Sequence, residues 1–477
     1  MEKIKVSGIE EFANKGSEIQ LLGYNPTAKK LGYVPLSSIS SLTSFCGVRW
    51  KKAEAKTEGE PFGDINMLAN LPTILGLGGY LVKNDHTRRK LDPNNHKRFA
   101  DGGVAALDGT MGHYHWGWNI PWYYAHWEDD IYEYEAVSTS PIRGRWNYKI
   151  PVASMSCSGA AALDRTNKIL VSYCNRTAQY RGGNNVADND TKWNTLFGKA
   201  VNSIDSTQFQ RYAEKNGERW GASMYQMVFA LGVLTRIIFH NRNIQASYNS
   251  TRTADNLYQG GLGMGIDNAY SDFGEQYATL DIDALAEKGD ATGVFSVTIA
   301  KGDGTNKVIG NIPCFFGLKN WYKNMWMMMH GVIIQYTASK GADVYILRKW
   351  TKDAVNISDT NGFVKVGAIP SVDKDGWYYT KRMNLDNMIM YPLEFGASES
   401  TGYADGYYHP AITSGLRGLA AFANVNNGGN AGSGALNANN GVTVSNANYG
   451  AFLNNFTQIG VSLSHWRNIE NRCQRVS

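Results

Sequence analysis

One amphipathic helix stands out in a chain that otherwise reads as short strand-like runs, and this contrast constrains the fold most. Its apolar residues recur at the spacing of one buried helix face: Met224, Met227, Val228, Leu231, Leu234 and Ile238. Ser223 and Gln226 form a capping-box pattern at its start. Shorter helices are predicted over Ser206 to Glu214 and over Phe62 to Leu71, the latter stopped by Pro72 and the glycines that follow. Few helices among many strands predict an α+β fold.

The strand-like runs also divide the chain into an arm and a body. They are Ile19 to Tyr24, Leu31 to Pro35, Val294 to Ala300, Lys307 to Gly310, Val332 to Tyr336, Val344 to Leu347 and Phe363 to Val366. Val294 to Ala300 and Lys307 to Gly310 flank Asp303-Gly304, which predicts a hairpin. The first two runs flank the turn sequence Asn25-Pro26-Thr27 and predict another hairpin, within an N-terminal arm, residues 1–45. An isolated hairpin is marginal in water. The segment is therefore an attachment or oligomerisation arm, or else the leading hairpin of a single body covering residues 46–477.

Composition excludes several classes of partner. The 13 Trp and 27 Tyr exclude a disordered chain, and a net charge of +5 without a polybasic run argues against nucleic acid. The sequence contains no run of about 18 apolar residues, so we predict that the protein does not insert into a membrane. Met1 to Ser17 lacks the apolar core of a signal peptide, which predicts synthesis in a reducing cytoplasm. The five widely spaced cysteines predict neither a disulfide framework nor a zinc site.

Motifs for catalysis and cofactors are weak. The sequence has no Gly-x-Ser-x-Gly elbow, and the glycines at 261, 263 and 265 do not follow a clear strand. We therefore expect no cofactor and no catalytic residues. One metal hypothesis stays open beside this expectation, because His113 and His115 share a strand face and His126 lies close in sequence. The alternative is that these histidines pack among aromatic rings and bond to backbone.

Two segments are candidate recognition surfaces. The first is an aromatic cluster between Tyr114 and Tyr134, whose rings can stack on sugars or anchor protein interfaces. We predict that Trp116, Trp118 and Trp122 contact a ligand; the alternative is that most of these rings are core. The second is an Asn/Gly-rich tail, about residues 415–465, with eleven Asn in the 32 residues from Asn424 to Asn455. It is a recognition surface, a plain surface loop or an aggregation-prone segment. Recurrent apolar residues from Phe422 to Leu463 favour a folded, core-anchored tail.

Three stretches together resemble a known fold family. They are the helix from Phe62 to Leu71, the helix ending in Phe239-His240-Asn241-Arg242-Asn243-Ile244-Gln245, and the Gly/Asn-rich tail ending in Trp466-Arg467. They are similar to the C-type-lectin-like branch shared by formylglycine-generating enzymes and the variable proteins of diversity-generating retroelements. Tyr258-Gln259-Gly260-Gly261-Leu262-Gly263 and the opening hairpin resemble virion proteins of Bacteroidales phages, including the crAss-like group. The resemblance covers about residues 60–270 and 395–470.

The resemblance implies a C-type-lectin-like domain with β-rich insertions at about residues 275–395. It implies ligand contacts by tail residues Asn437, Asn439, Asn440, Asn446, Asn448 and Tyr449. The function it implies is that of a virion head or tail fibre or decoration protein on the virion surface. Such a protein adheres to a host-surface glycan or protein, contacts other virion proteins, and forms a homo-oligomer, with a trimer favoured and a dimer possible. The alternatives are an enzyme of the same fold, either a formylglycine-type oxygenase or a capsule depolymerase, and a purely structural decoration protein.

Overall fold

The computed structural model describes the backbone of Gln20–Asn25 and Lys30–Pro35 and then residues 44–188, 190, 196–249, 280–300, 307–348 and 358–457. Several sequence predictions lie outside these residues. They are the turns at Pro26 and Asp303-Gly304, the Tyr258 to Gly263 motif, the Trp466-Arg467 ending and Cys473.

The described part of the chain is mostly β-sheet with few helices. Its α-helices are α1 (Ile65–Leu75), α2 (Ser206–Glu214), α3 (Tyr225–Phe239) and α4 (Ile244–Tyr248). Short 3-10 helices cover Ala178–Tyr180, Ala286–Lys288, Asp386–Met388 and Val425–Asn430.

The strands, in chain order, are β1 (Gln20–Asn25), β2 (Lys30–Pro35), β3 (Phe45–Lys51), β4 (Glu60–Gly63), β5 (Gly78–Val82), β6 (Arg88–Asp92), β7 (Asn95–Phe99), β8 (His113–Gly117), β9 (Trp122–Glu128), β10 (Tyr132–Ser138), β11 (Tyr148–Ile150), β12 (Ala153–Ser156), β13 (Ala162–Asp164), β14 (Ile169–Val171), β15 (Trp220–Ala222), β16 (Gly293–Ala300), β17 (Lys307–Phe315), β18 (Leu318–Lys319), β19 (Trp326–Met328), β20 (Val332–Tyr336), β21 (Ala342–Ile346), β22 (Val364–Ile369), β23 (Gly376–Asn384), β24 (Tyr391–Phe395), β25 (Gly406–His409), β26 (Gly415–Arg417), β27 (Ala420–Ala421), β28 (Leu436–Asn437), β29 (Tyr449–Gly450) and β30 (Leu453–Phe456).

These strands form four larger sheets and three small ones. A five-stranded sheet has the order β11-β9-β10-β3-β4, and a seven-stranded sheet has the order β15-β30-β12-β8-β5-β6-β7. A second seven-stranded sheet, β24-β23-β25-β28-β27-β19-β29, contains three tail strands, and β22-β21-β20-β26 form a four-stranded sheet. The small sheets are β1-β2, β13-β14 and β16-β17-β18. The hairpins predicted in the arm and around residue 303 are confirmed as antiparallel pairs.

Local sequence patterns predicted the helices well but not always their ends. The predicted helix over Ser206 to Glu214 matches α2 residue for residue. Helix α1 begins at Ile65, because the Asp64 side chain accepts a hydrogen bond from Met67 N, and it continues through Pro72 to end at Gly76 in the left-handed conformation (φ 69°). The prediction that Pro72 stops this helix is therefore wrong. Burial of Leu71 and Leu75 holds the last turn in place.

The start of α3 is capped by the tail rather than by its own first turn. Ser223 Oγ accepts a hydrogen bond from Phe452 N, and the Asn454 side chain accepts one from Met224 N at 2.7 Å. The capping box predicted from Ser223 and Gln226 is therefore wrong. The helix start is therefore joined to the tail strand β30 through Met224 N, while Tyr225 N donates to His330 O at 3.2 Å.

One shared core supports the body. Its largest cluster of buried apolar residues runs from Cys46 to Phe456 and includes residues of the predicted insertion and of the tail. Helix α3 packs against strands of the five-stranded sheet and of the first seven-stranded sheet, and nearly all of its residues are buried. Burial around the whole circumference explains why its sequence is apolar on more than one face.

A buried ion pair fixes α3 to the five-stranded sheet. Arg236 donates from Nε to Glu135 Oε1 at 2.9 Å and from Nη2 to Oε2 at 2.7 Å, and both side chains are about 2% exposed. Tyr124 Oη donates to the same carboxylate at 2.9 Å. The nearby Arg236 guanidinium holds the pKa of Glu135 below its usual range, against the opposing effect of burial. The carboxylate is therefore ionised and well satisfied.

We predict that Arg236→Met destabilises the protein by about 3–5 kcal/mol, because it leaves the Glu135 charge buried without its partner. The free energy of unfolding from urea titration followed by tryptophan fluorescence measures the change. The double variant Arg236→Met/Glu135→Leu removes both charges and should recover most of the loss. A double variant as unstable as the single one would contradict this account.

Candidate functional site

A row of side chains crosses the second seven-stranded sheet beside the Asn-rich tail. Trp377 on β23 pairs with Tyr408 on β25, which in turn pairs with Asn437 on β28. Residues directly opposite in neighbouring strands share one sheet face. The three side chains are half-buried. Two aromatic rings and one amide therefore line a common strip with partial access to solvent, which we call the tail strip because it borders the tail.

Ring stacking, close packing on a glycine and a neighbouring hydrogen bond hold this row in place. The Trp377 ring stacks on the buried Trp326 ring with centroids 6.2 Å apart and planes 15° apart. It also lies over Gly406, where a β-carbon would come within 2.7 Å of the indole. Tyr379, next on the same face of β23, donates from its hydroxyl to Asn430 Oδ1 at 2.7 Å. A rigid ring loses little conformational entropy when a ligand binds.

The predicted tail residues fall into an exposed and a structural group. Asn439 and Asn446 are exposed, and Asn437, Asn440 and Asn448 are half-buried. Within the tail, Asn437 Oδ1 accepts a hydrogen bond from Asn439 N at 2.8 Å. This bond closes a local turn, and the turn sets the direction of the Asn439 side chain. The tail thus places two amide side chains, those of Asn439 and Asn446, fully at the surface, and the other three are partly covered.

Tyr449 is not part of this surface. Tyr449 is 2% exposed although β29 is an edge strand, paired in parallel with β19, and its hydroxyl accepts a hydrogen bond from Asn440 Nδ2. The prediction that Tyr449 contacts a ligand is therefore wrong. Its structural role is to anchor the loop that carries Asn440.

Trp116, Trp118 and Trp122 are core residues. All three have zero exposure, and their rings form successive edge contacts at centroid distances of 6.0 Å and 5.8 Å. The indole N–H groups of Trp116 and Trp118 donate to the backbone oxygens of Phe316 and Pro151. The prediction that these tryptophans contact a ligand is wrong, because all three side chains are fully buried in the core.

Other rings of the same cluster do reach the surface. Trp127 stacks on Tyr134 with centroids 5.0 Å apart, and Phe62 contacts both rings edge-on. Arg49 lies 4.3 Å over the Tyr132 ring. These half-buried rings form the outer face of the five-stranded sheet, the face opposite to the Glu135 ion pair. The alternation of outer Tyr with inner Glu along Tyr132 to Glu135 was the sequence signal for it.

The segment after α3 locks the tail in place. The Gln245 amide, 1% exposed, donates to the backbone oxygens of Gly428, Gly429 and Ala431. The buried Asp405 carboxyl accepts from Gly434 N at 2.8 Å, and a β-carbon at Gly432 would lie 1.7 Å from Asp405 Oδ1. Burial raises the pKa of Asp405 well above its usual range. Glycine is therefore required where residue 432 approaches the Asp405 carboxyl. The tail is a folded, core-anchored segment as far as residue 457.

The three histidines of the metal hypothesis are not brought together. His113 Nε2 bonds to Asn84 Oδ1 at 3.0 Å, and His115 Nδ1 bonds to Ser154 Oγ at 2.9 Å. His126 lies in a different sheet and bonds to Asp386 Oδ1 at 3.0 Å. Burial lowers the pKa of His113 to about 4. These side chains serve packing and hydrogen bonding within the body.

Among the residues that the structure describes, only Cys174, Asp281 and Asp283 place three potential metal-ligand atoms together. Arg176 already donates to both carboxylates, at 3.1 Å and 2.8 Å. Burial, with the two carboxylates, raises the pKa of Cys174 to about 12, so the thiol is protonated at neutral pH. The group is therefore satisfied as an ion pair beside a neutral thiol.

A buried polar network joins the first seven-stranded sheet to the insertion. The Lys319 ammonium donates to Tyr114 Oη at 3.0 Å and to Gly317 O at 2.8 Å, and its Nζ lies 4.0 Å from Cys157 Sγ. His96 bonds to Tyr114 Oη at 2.6 Å and to Asp290 at 2.7 Å. Burial, helped by Lys319, lowers the pKa of His96 to about 4. Every member has polar partners, so the network acts as a cross-link between strands.

Two comparisons bear on the chain as a whole. No model of a known protein family matches it, and no curated protein matches it significantly. No helix within the described ranges combines the length and apolar character needed to cross a bilayer.

We predict that Gln245→Ala loosens the loop at residues 428–431, because three backbone oxygens lose their donor together. Hydrogen exchange measured by mass spectrometry should show faster exchange in peptides covering this loop. Gln335→Ala, at a half-buried position on β20, is the matched control and should leave the loop protected. Equal exchange in both variants would show that the Gln245 hydrogen bonds do not hold this loop in place.

We also predict that the protein loses stability as pH falls from about 6.5 towards 4. His96, His113 and His330 have folded pKa values of about 4, about 4 and about 3, lowered mainly by burial, whereas an unfolded histidine titrates near 6.5. The unfolded state therefore binds more protons in this window, at about 1.4 kcal/mol per pH unit for each histidine. Urea unfolding at stepped pH measures the slope, which His113→Asn should reduce. A stability that is constant or rises on acidification across this window would refute the assignment.

Proposed function

We propose that the protein is a non-enzymatic binding protein of α+β, C-type-lectin-like fold on the surface of a phage virion. In this proposal it is a head or tail fibre or decoration protein that adheres to a host-surface glycan or protein. The observation that carries the proposal is the row of Trp377, Tyr408 and Asn437 beside the exposed tail amide of Asn439.

The chemistry of this strip suits saccharides. Aromatic rings stack on the apolar faces of sugars, and an asparagine amide offers both a donor and an acceptor for hydroxyl groups. The strip is preorganised, since Trp377 is stacked on Trp326 and the tail is locked by Gln245. Such sites bind weakly one at a time, so attachment would depend on many copies acting together.

The enzyme alternatives receive less support from the geometry. A depolymerase needs a free carboxylate pair, but the facing carboxylates of Glu128 and Glu133 are each bound to a cation, Lys52 and Arg242. An oxygenase of the formylglycine type needs reactive thiols. Cys314 is fully buried, and burial raises its pKa to about 12.

The outer aromatic face supports the assembly part of the proposal. It includes Phe45, where the arm of residues 1–45 joins the body, and Phe62, Trp127 and Tyr134. Half-buried rings of this kind are commoner at protein interfaces than on free surfaces. We propose that this face and the arm contact sister chains or other virion proteins, in a trimer or a dimer.

We predict that Trp377→Ala lowers binding of the fluorescently labelled protein to Bacteroidales host cells by about ten-fold or more, because a stacking anchor is lost. Flow cytometry over a panel of strains measures binding. The double variant Asn439→Ala/Asn446→Ala removes two exposed amides without touching the core and should weaken binding in the same strains.

Trp146→Ala provides the matched control, since Trp146 is 44% exposed in the loop between β10 and β11. It should bind cells as the unaltered protein does. If Trp377→Ala, the double variant Asn439→Ala/Asn446→Ala and the control all bind equally, the tail strip is not the adhesive surface. If the unaltered protein binds no strain while electron microscopy of the particle shows the tail turned inward, the structural decoration alternative replaces the adhesin.

A further inference from the structure

A charged cleft lies beside the five-stranded sheet, at the end of β9 and β10 that carries Glu128 and Glu133. Its walls are the loop of residues 51–56 and the hairpin β23-β24, joined where Gly402 N donates to Ala55 O. Two adjoining cavities of about 470 Å³ and 280 Å³ share Glu128, Glu133, Arg242 and Arg382 and so form one space. Cavities of this size accommodate small-molecule ligands.

The cleft has a rigid cationic floor. The Arg242 guanidinium lies between the rings of Trp50 and Tyr403, 4.3 Å from each centroid, and its side chain is 7% exposed. It donates to Glu133, while its Nε has no hydrogen-bond partner among the residues that the structure describes. The backbone of Arg242 is also tied down, since its N–H donates to Thr57 O at 2.9 Å. A guanidinium held between two rings keeps its orientation before any ligand arrives.

The larger cavity carries an excess of positive charge. It is lined by six cationic side chains (Lys51, Lys52, Lys56, Arg242, Lys381 and Arg382) and four carboxylates (Glu54, Glu128, Glu133 and Glu394), a net charge of +2, while the smaller cavity adds the carboxylates of Glu135 and Asp386. Ion pairs within 4 Å join Lys52 to Glu128 and Lys381 to Glu394. Arg382 is exposed at the junction of the two cavities and has no carboxylate partner within the described part of the chain.

We propose that this cleft is a second binding site, separate from the tail strip, and that it binds an acidic saccharide. The carboxylate of a uronic acid unit would accept two hydrogen bonds from the Arg382 guanidinium. The neighbouring glutamates would accept from the sugar hydroxyls, which a purely cationic cleft cannot do. The same four glutamates repel a dense polyanion, so the interleaved charges fit a uronic acid oligosaccharide, with one carboxylate per sugar, better than a nucleic acid duplex, with one charge per about 1.7 Å.

Isothermal titration calorimetry of the full chain with trigalacturonic acid tests the proposal. The unaltered protein should bind it, more weakly as salt concentration rises, and should not bind the neutral trisaccharide maltotriose. Arg382→Gln should weaken binding by about ten-fold or more, and Arg382→Lys should retain part of it, because the charge remains but the paired donors are lost. Arg143→Gln, at an exposed arginine outside the cleft, is the matched control and should bind normally.

Several results would overturn the proposal. They are the absence of trigalacturonate binding, equal affinity in Arg382→Gln and the unaltered protein, and binding of inorganic pyrophosphate without binding of trigalacturonate. Loss of trigalacturonate binding in Trp377→Ala, with Arg382→Gln unaffected, would place the ligand on the tail strip instead. Cell adhesion depends on the tail strip and trigalacturonate binding on the cleft, so each can fail while the other holds. Arg382 is exposed, so a thermal melt should show the Gln variant to be folded.

Discussion

The ion pair between Arg236 and Glu135 determines where the rest of the site can lie. It holds the last turn of α3 on the five-stranded sheet, so the chain that leaves the helix starts from a fixed point. Six residues later Arg242 reaches Glu133 on the same strand, and three residues after that Gln245 reaches the tail. One short segment thus connects sheet, cleft and tail strip, and a movement of α3 would displace all three.

Elements that depend on nearby residues could be predicted from the sequence. The polar start signals before residues 206–214 and the short β-prone runs at residues 294–300 and 332–336 correspond to α2, β16 and β20, since each signal lies within or next to its own element. The end of a helix is different when its partner is distant. The N-terminus of α3 is capped by Asn454, 230 residues along the chain, so Ser223 and Gln226 misled the local prediction.

In the candidate site too, features set by nearby residues could be predicted and features set by distant partners could not. That the tail presents exposed Asn439 and Asn446 could be predicted from composition. The mistaken choice of Trp116 and its neighbours came from aromatic density, which cannot distinguish a ring at a surface from a ring between layers. Trp377 and Tyr408 meet Asn437 only through strand register, a property of the assembled sheet that no local pattern carries.

Strand β30 has a consequence for the order in which the protein matures. It lies between β15 and β12, so two strands that precede it by more than 200 residues have no neighbour on that side until Leu453 to Phe456 arrive. During synthesis the emerging chain must keep those edges unpaired, exposed to chaperones or to another nascent copy. Completion of this sheet is then slow, because closing so long a loop costs conformational entropy before β30 can pair with β12 and β15. The yield of folded protein would therefore depend on whether β30 is synthesised before the unpaired edges of β12 and β15 aggregate.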